Sequence, residues 1–243
     1  MDTPASIGAL HRRRLRDIWR SAGWPSQDGV ELELLAAGLL ERLRDAQGRE
    51  PLRVSDAGVQ LLHATLQRNR AARDAHEALV ERVARAMQRA GRIVWRGLSL
   101  RTRVGAGDDT AWAMAMPDVF SIRHTTVEAY LEPIVHEVKV RRADLLADLK
   151  REPKRAAYLQ LGGECWYVIR AGIAEAREIP PQCGVLVATD GALQVARPAP
   201  KRAMQLPFAT WMALARTAPM DNAHDGETQA LLGDSGTPDP PAP

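Results

Sequence analysis

The chain has 243 residues, of which 45% are apolar and 26% charged, with a formal net charge of +3 and only two cysteines. A chain of this length can bury a core without disulfides, and Cys165 and Cys183 are too few for a disulfide framework or a cysteine-rich zinc module. No apolar run nears the roughly 20 residues that span a bilayer, and the start of the chain lacks the apolar stretch of a secretion signal. A cytoplasmic protein without membrane contact is therefore expected.

The charge is uneven. Residues 217–243 contain no Lys or Arg but five acids, Asp221, Asp225, Glu227, Asp234 and Asp239, so residues 1–216 carry 33 basic and 25 acidic side chains, a net of +8. A basic body fits a polyanionic partner such as DNA, and equally a solvated surface. Residues 218–243 are rich in Gly, Pro and Asp and too poor in apolar groups to offset ordering entropy, which predicts a disordered acidic tail.

The first seventy residues predict a small helical unit. Leu10, Leu15, Ile18 and Trp19 recur at helical spacing over 10–22. Ser26, Gln27 and Asp28 offer a cap to a second helix over 30–43, whose apolar face runs from Leu32 to Leu43. Gln47-Gly48 sits between two short extended arms, the pattern of a hairpin. Ser55 to Gly58 then opens a helix over 59–67. The string Ala37-Gly-Leu-Leu-Glu-Arg-Leu43, followed by Leu52-Arg-Val-Ser-Asp-Ala-Gly58, resembles the second half of winged-helix domains. That resemblance implies an N-terminal winged-helix-like domain over 1–73. Arg12, Arg13, Arg14 and Arg16 of its first helix are candidate DNA-phosphate contacts, or simply a solvated helix face.

A charged helix over 68–91 is expected to open a second domain, 74–217. Its apolar stripe holds Leu79, Val80, Val83, Ala84 and Met87, and Glu77 and Glu81 share one face. Alternation then predicts strands over 93–100, 111–122 and 133–140, with a turn at Gly105–Asp109. A helix over 143–161, interrupted near Pro153, is followed by strands over 165–170 and 184–189 and a closing helix over 208–216. The expected class is α/β, a mixed sheet flanked by helices.

Two of these strands carry the chemistry. Glu137 and Lys139 lie two apart, so they project from one face while Val138 points to the other. Charged neighbours on an apolar strand are costly unless paired or used, and by themselves they also fit an ordinary ion pair. Asp118 lies on the preceding strand, a neighbour in an antiparallel meander. Two carboxylates and a carbonyl make an all-oxygen site suited to Mg²⁺ or Mn²⁺. Such a site, with a lysine to orient water, reads as metal-dependent hydrolysis of a phosphodiester.

Pro117-Asp118 and Glu137-Val138-Lys139 resemble the two signature elements of the PD-(D/E)XK nuclease superfamily. The resemblance implies a restriction-endonuclease-like sheet, with Asp118, Glu137 and the Val138 carbonyl on the metal, Lys139 serving the water, and Glu77 or Glu81 as a further carboxylate. A longer run, His136-Glu-Val-Lys-Val-Arg-Arg-Ala-Asp-Leu-Leu-Ala-Asp-Leu-Lys150, with Tyr158-Leu-Gln-Leu and Arg197-Pro-Ala-Pro200 downstream, is similar to the MmcB-like family of DNA-repair-associated nucleases. It puts Glu137, Lys139, Arg142, Ala143, Asp144, Asp148 and Lys150 on matching positions. Asp144, Asp148 and Lys150 are then expected to line the site or hold its helix, with Gln160 a further candidate. The match departs in extra residues after Lys150 and in Leu161-Gly-Gly163. The implied activity is a Mg²⁺-dependent deoxyribonuclease in DNA repair, and the resemblance also admits a homodimer. The alternative is a DNA-binding regulator or adaptor with an inactive nuclease-like domain. His136 reads as a core or surface residue, and Trp95, Trp112, Trp166 and Trp211 as core.

Overall fold

The computed structural model describes residues 7–221 apart from 22, 107 and 108. The described chain divides into two compact units, with the boundary between Arg73 and Asp74. The predicted tail falls almost wholly on 222–243, outside the described residues.

The first unit starts with α1 (Ala9–Arg20), which turns Leu15 and Ile18 inward. In α2 (Gly29–Ala36) the cap is reciprocal. Asp28 accepts the Glu31 N–H at 3.0 Å, and the buried Glu31 carboxylate accepts the N–H groups of Ser26 and Gln27 at 2.6 and 3.0 Å. The predicted helix over 30–43 stops early, because Gly38 takes φ +67° and turns the chain. Leu40 and its neighbours instead form β1 (Leu40–Arg42), antiparallel to β2 (Leu52–Val54). Between these strands Asp45 accepts the N–H groups of Gln47 and Arg49, and Gly48 supplies a positive φ. A core of Leu15, Ile18, Leu34, Leu40, Leu52 and Val54 holds the unit together.

Ser55 caps α3 (Asp56–Arg89) by accepting the Gly58 N–H, and its hydroxyl donates to the Gly38 carbonyl at 2.7 Å. Gly58 is required there: a Cβ would meet the Leu39 carbonyl oxygen at 2.4 Å. The two helices expected over 59–67 and 68–91 are one helix of 34 residues. Gln67-Arg-Asn-Arg70 contains no Pro, Gly or capping pattern that would stop it.

The second unit is built on a six-stranded sheet in the order β10 (Leu193–Arg197), β9 (Gly184–Ala188), β8 (Glu164–Arg170), β7 (Ile134–Lys139), β6 (Val119–Arg123) and β3 (Arg92–Arg96). Its first strand, β3 (Arg92–Arg96), ends at Gly97 (φ +61°), which divides the single strand expected over 93–100. A separate hairpin follows, β4 (Leu100–Ala106) and β5 (Asp109–Ala115), so Gly105 and Ala106 belong to a strand rather than to the expected turn. Met116-Pro117-Asp118 then breaks the second long strand expected, since Pro117 has no N–H to give a ladder. The chain re-enters the sheet as β6 (Val119–Arg123), antiparallel to β7 (Ile134–Lys139). α4 (Arg142–Leu149) and α5 (Glu152–Leu161), separated ahead of Pro153 as expected, cross over to β8 (Glu164–Arg170), which is parallel to β7. β9 (Gly184–Ala188) is parallel to β8. β10 (Leu193–Arg197), a short edge strand absent from the sequence reading, and α6 (Phe208–Ala215) complete the unit.

Both faces of the sheet are covered. Leu79, Val80, Val83 and Ala84 of α3 pack on Val94, Val119, Val138 and Val168. On the other face Leu145, Ala157, Leu161 and Leu214 meet Phe120, Val135, Ile169 and Val185. Each fully buried aliphatic side chain contributes roughly 1.5–3 kcal/mol relative to exposure. Among the described residues, no helix is long and apolar enough to cross a membrane.

Candidate functional site

The ladder between β6 and β7 ends at the Val119–His136 pair. One step further Asp118 faces the Glu137 end of β7, and its side chain continues where the main chain does not: Asp118 Oδ2 accepts the Val138 N–H at 2.7 Å. His76 of α3 lies on the same oxygen, with Nε2 at 3.4 Å. Hydrogen bonding to Asp118 raises the His76 pKa above its ordinary value, against the opposing effect of burial.

Val138 is fully buried against α3, so alternation turns Glu137 to the α4–α5 face, where it is 3% exposed. Lys139 donates to Glu137 Oε1, Lys154 donates to the same oxygen at 2.6 Å, and the Tyr158 hydroxyl donates to Oε2 at 2.7 Å. Asp148 joins from α4, accepting from Lys154 at 2.6 Å and from the Tyr167 hydroxyl at 2.8 Å, with Lys139 at 3.6 Å. Two carboxylates thus balance two ammonium groups beneath the sheet. Burial opposes the charge on Asp148, but the Lys154 hydrogen bond and the charges of Lys139 and Lys154 outweigh it and hold its pKa low. Burial likewise opposes the charge on Lys154, and the Glu137 charge and the Asp148 hydrogen bond keep its pKa raised. Burial and the Glu137 charge push the Tyr158 hydroxyl far upward, so it stays a protonated donor.

On the α3 side, a cleft of about 350 Å³ opens beside Asp118, lined by His76, Glu77, Val80, Arg96 and Met116. Glu77 shares this cleft but pairs with Arg96 at 2.9 Å. Glu81 is held by Arg85 at 2.7 Å and by Arg96. Neither touches Asp118.

The structure gathers Glu137, Lys139 and Asp148 into one ion-paired cluster, and Asp118 adjoins it through the Val138 N–H. Lys150, Asp144 and Gln160 are exposed and stand outside the cluster. Lys150 caps the C-terminus of α4, and the chain then starts a new helix, so the lysine that enters the site is Lys154, in the first turn of α5. Lys154 and Tyr158 are four apart on one helical face, with the ammonium 5.3 Å from the ring centre, a spacing that could have flagged both. His76 and Tyr167 carried no local signal.

In the first unit, Arg14 pairs with Asp28 at 2.6 Å and Arg12 donates to the Ile7 carbonyl at 2.9 Å. Arg13, 4.0 Å from Asp17, and Arg16 are exposed. His136 faces α3 and is 1% exposed, and burial with the nearby Arg92 charge lowers its pKa to about 3, so it is a neutral core residue. Trp95 is core, whereas Trp112 is 53% and Trp211 37% exposed, which corrects the expectation that both are buried. Among the described residues, no three His, Cys, Asp or Glu side chains gather as a metal-holding cluster.

No family model matches the chain. No curated protein matches it either. Among solved structures, the SPO1766 protein of unknown function from Silicibacter pomeroyi aligns with 22% identity and a TM-score of 0.38, over 64% of this chain and 90% of that one.

Proposed function

We propose that this chain is a metal-dependent DNA nuclease of the PD-(D/E)XK type. In this reading the sheet unit is a restriction-endonuclease-like core, and the first unit is a winged-helix-like module that docks DNA for repair or processing. The observation that carries the reading is the Asp118 carboxylate seated on the Val138 N–H, between the acid and the base of Glu137-Val138-Lys139.

The donor chemistry fits Mg²⁺ or Mn²⁺. Asp118 Oδ2 accepts the Val138 N–H and Glu137 Oε2 accepts from Tyr158, and a carboxylate with two oxygens can offer a further lone pair to a hard cation. Asp118, Glu137 and the Val138 carbonyl would hold it, and when bound it supplies Lewis acidity toward a phosphodiester and a more acidic water. Tyr158 and Lys154 fix the orientation of Glu137. Lys139, held between Glu137 and Asp148, presents an ammonium that steadies the attacking water and the charge that develops on phosphorus.

One observation favours a second reading, a DNA-binding regulator or adaptor with an inactive nuclease-like domain: Lys139 and Lys154 already pair with the Glu137 carboxylate, and Tyr158 hydrogen-bonds it. Incubating the pure protein with single-stranded, duplex and branched DNA plus Mg²⁺ or Mn²⁺ separates the two. The nuclease reading expects cleavage that Asp118→Asn abolishes. Cleavage of nothing, with salt-sensitive DNA binding intact, replaces it by the second reading.

A further inference from the structure

The β4–β5 hairpin buries one face and leaves the other bare. Leu100 and Thr102 of β4 and Ala115 of β5 point inward. Arg101 and Arg103 point outward, cross-strand from Met114 and Trp112. On the outer face of β5, Trp112 and Met114 are 53% and 59% exposed, and Met116, just past its end, is 60% exposed. The Arg101 and Arg103 guanidiniums lie 4.5 and 5.3 Å from the centre of the Trp112 ring. Among the described residues neither arginine pairs with a carboxylate, whereas Arg123 and Arg142, also exposed on the sheet unit, pair with Glu132 and Glu178.

We infer that this hairpin face is a binding track for single-stranded DNA that feeds the Asp118 cleft, an inference that rests on the nuclease reading for its choice of polymer. The two guanidiniums, without a carboxylate partner among the described residues, complement phosphates, and the indole they flank offers a surface on which an unpaired base stacks. A duplex keeps its bases stacked on one another, so it can use the arginines but not the indole. The track has a direction. Met116 walls the cleft beside Asp118 and lies four residues, about 13 Å, along the extended chain from Trp112. A strand bound over Trp112 and Met114 therefore runs on toward the carboxylates.

The test uses the full-length protein in EDTA and a fluorescein-labelled oligo-dT of about 15 nucleotides, read by anisotropy. The parent is expected to bind oligo-dT more tightly than the matched duplex. Trp112→Ala weakens oligo-dT binding by roughly tenfold or more, while Trp112→Phe, which keeps a ring to stack, retains most of it. Arg101→Gln with Arg103→Gln weakens binding and flattens the slope of log Kd against log salt by about 1.4. All three side chains at these positions are exposed, so melting temperatures should stay near the parent's. The track is overturned if the parent binds neither DNA or prefers the duplex, or if both sets of variants bind oligo-dT like the parent. The two ideas fail separately. Hairpin variants that bind normally while Asp118→Asn abolishes cleavage sink the track alone. Loss of binding in the hairpin variants, with cleavage indifferent to Asp118→Asn, sinks the nuclease reading alone.

Discussion

The Asp118 carboxylate accepts the Val138 amide proton at 2.7 Å, so a side chain takes the place of a carbonyl where the β6–β7 ladder ends. This gives Asp118 a structural role beside its proposed chemical one, and two substitutions separate the roles. Asp118→Asn keeps a carbonyl oxygen for the Val138 N–H and should fold within about 1 kcal/mol of the parent. Asp118→Ala leaves that N–H unpaired and should cost about 2 kcal/mol in urea unfolding. Both should abolish cleavage. An Asn variant that cuts normally would remove Asp118 from the chemistry.

Lys154 lies 2.6 Å from both Glu137 and Asp148 and bridges strand β7 to helix α4 from the first turn of α5. Replacing it with Met leaves two buried carboxylates sharing one ammonium, Lys139. We expect a loss of about 3 kcal/mol, because stranding a buried charge is costly. Lys150→Met, at an exposed helix end, should stay within about 0.5 kcal/mol. Urea midpoints measured side by side decide whether the buried lysine is 154 or 150. Acid should mimic the change. The Asp148 pKa is depressed on folding, so its stabilising contribution is complete above the ordinary carboxylate range and disappears as pH falls through the lowered value.

The contrast between these two lysines shows what sequence spacing can and cannot reveal. The alternation of Ile134 to Lys139 places Glu137 and Lys139 on one face, and Val138 is buried on the other as that pattern requires. The break ahead of Pro153 was also legible, because proline marks a helix start. The lysine that enters the site depends on how α5 resumes after Arg151, a tertiary matter that no spacing rule records. His76 was beyond reach for a similar reason: 42 positions separate it from Asp118, and only the packing of α3 on the sheet joins them. Leu39 and Leu40 misled for the opposite reason. Their apolar period fits a helix and a short strand alike, and Gly38 decides between them by turning the chain.

His76 should titrate abnormally. Its pKa is raised chiefly by the hydrogen bond to Asp118, so its contribution to stability is complete below about pH 6.5 and is lost as pH rises through the raised value. Ring-proton NMR should show a midpoint above 6.5 in the parent, and a lower one in Asp118→Asn, where burial acts with less opposition. The stability difference between the parent and His76→Gln should shrink as pH rises over the same range. A midpoint at or below 6.5 in the parent would mean that the pair at 3.4 Å does not persist in solution.

The two cysteines should report on the clamp over the site. Cys165 is 3% exposed, and burial pushes its thiol up to about 12, against the nearby Arg202 charge. Cys183 is 1% exposed and its pKa is raised by burial as well. Thiolate is the reactive form, so neither should label with a disulfide reagent at neutral pH until the fold opens. The Cys165 thiol also donates to the Tyr158 carbonyl at 3.1 Å, which ties its exposure to the helix that carries Lys154 and Tyr158. Loss of the Lys154 bridge in Lys154→Met should therefore speed labelling of Cys165 more than that of Cys183. Equal acceleration of both would show that the whole unit opens at once, and that Lys154 does not hold α5 over the carboxylates in particular.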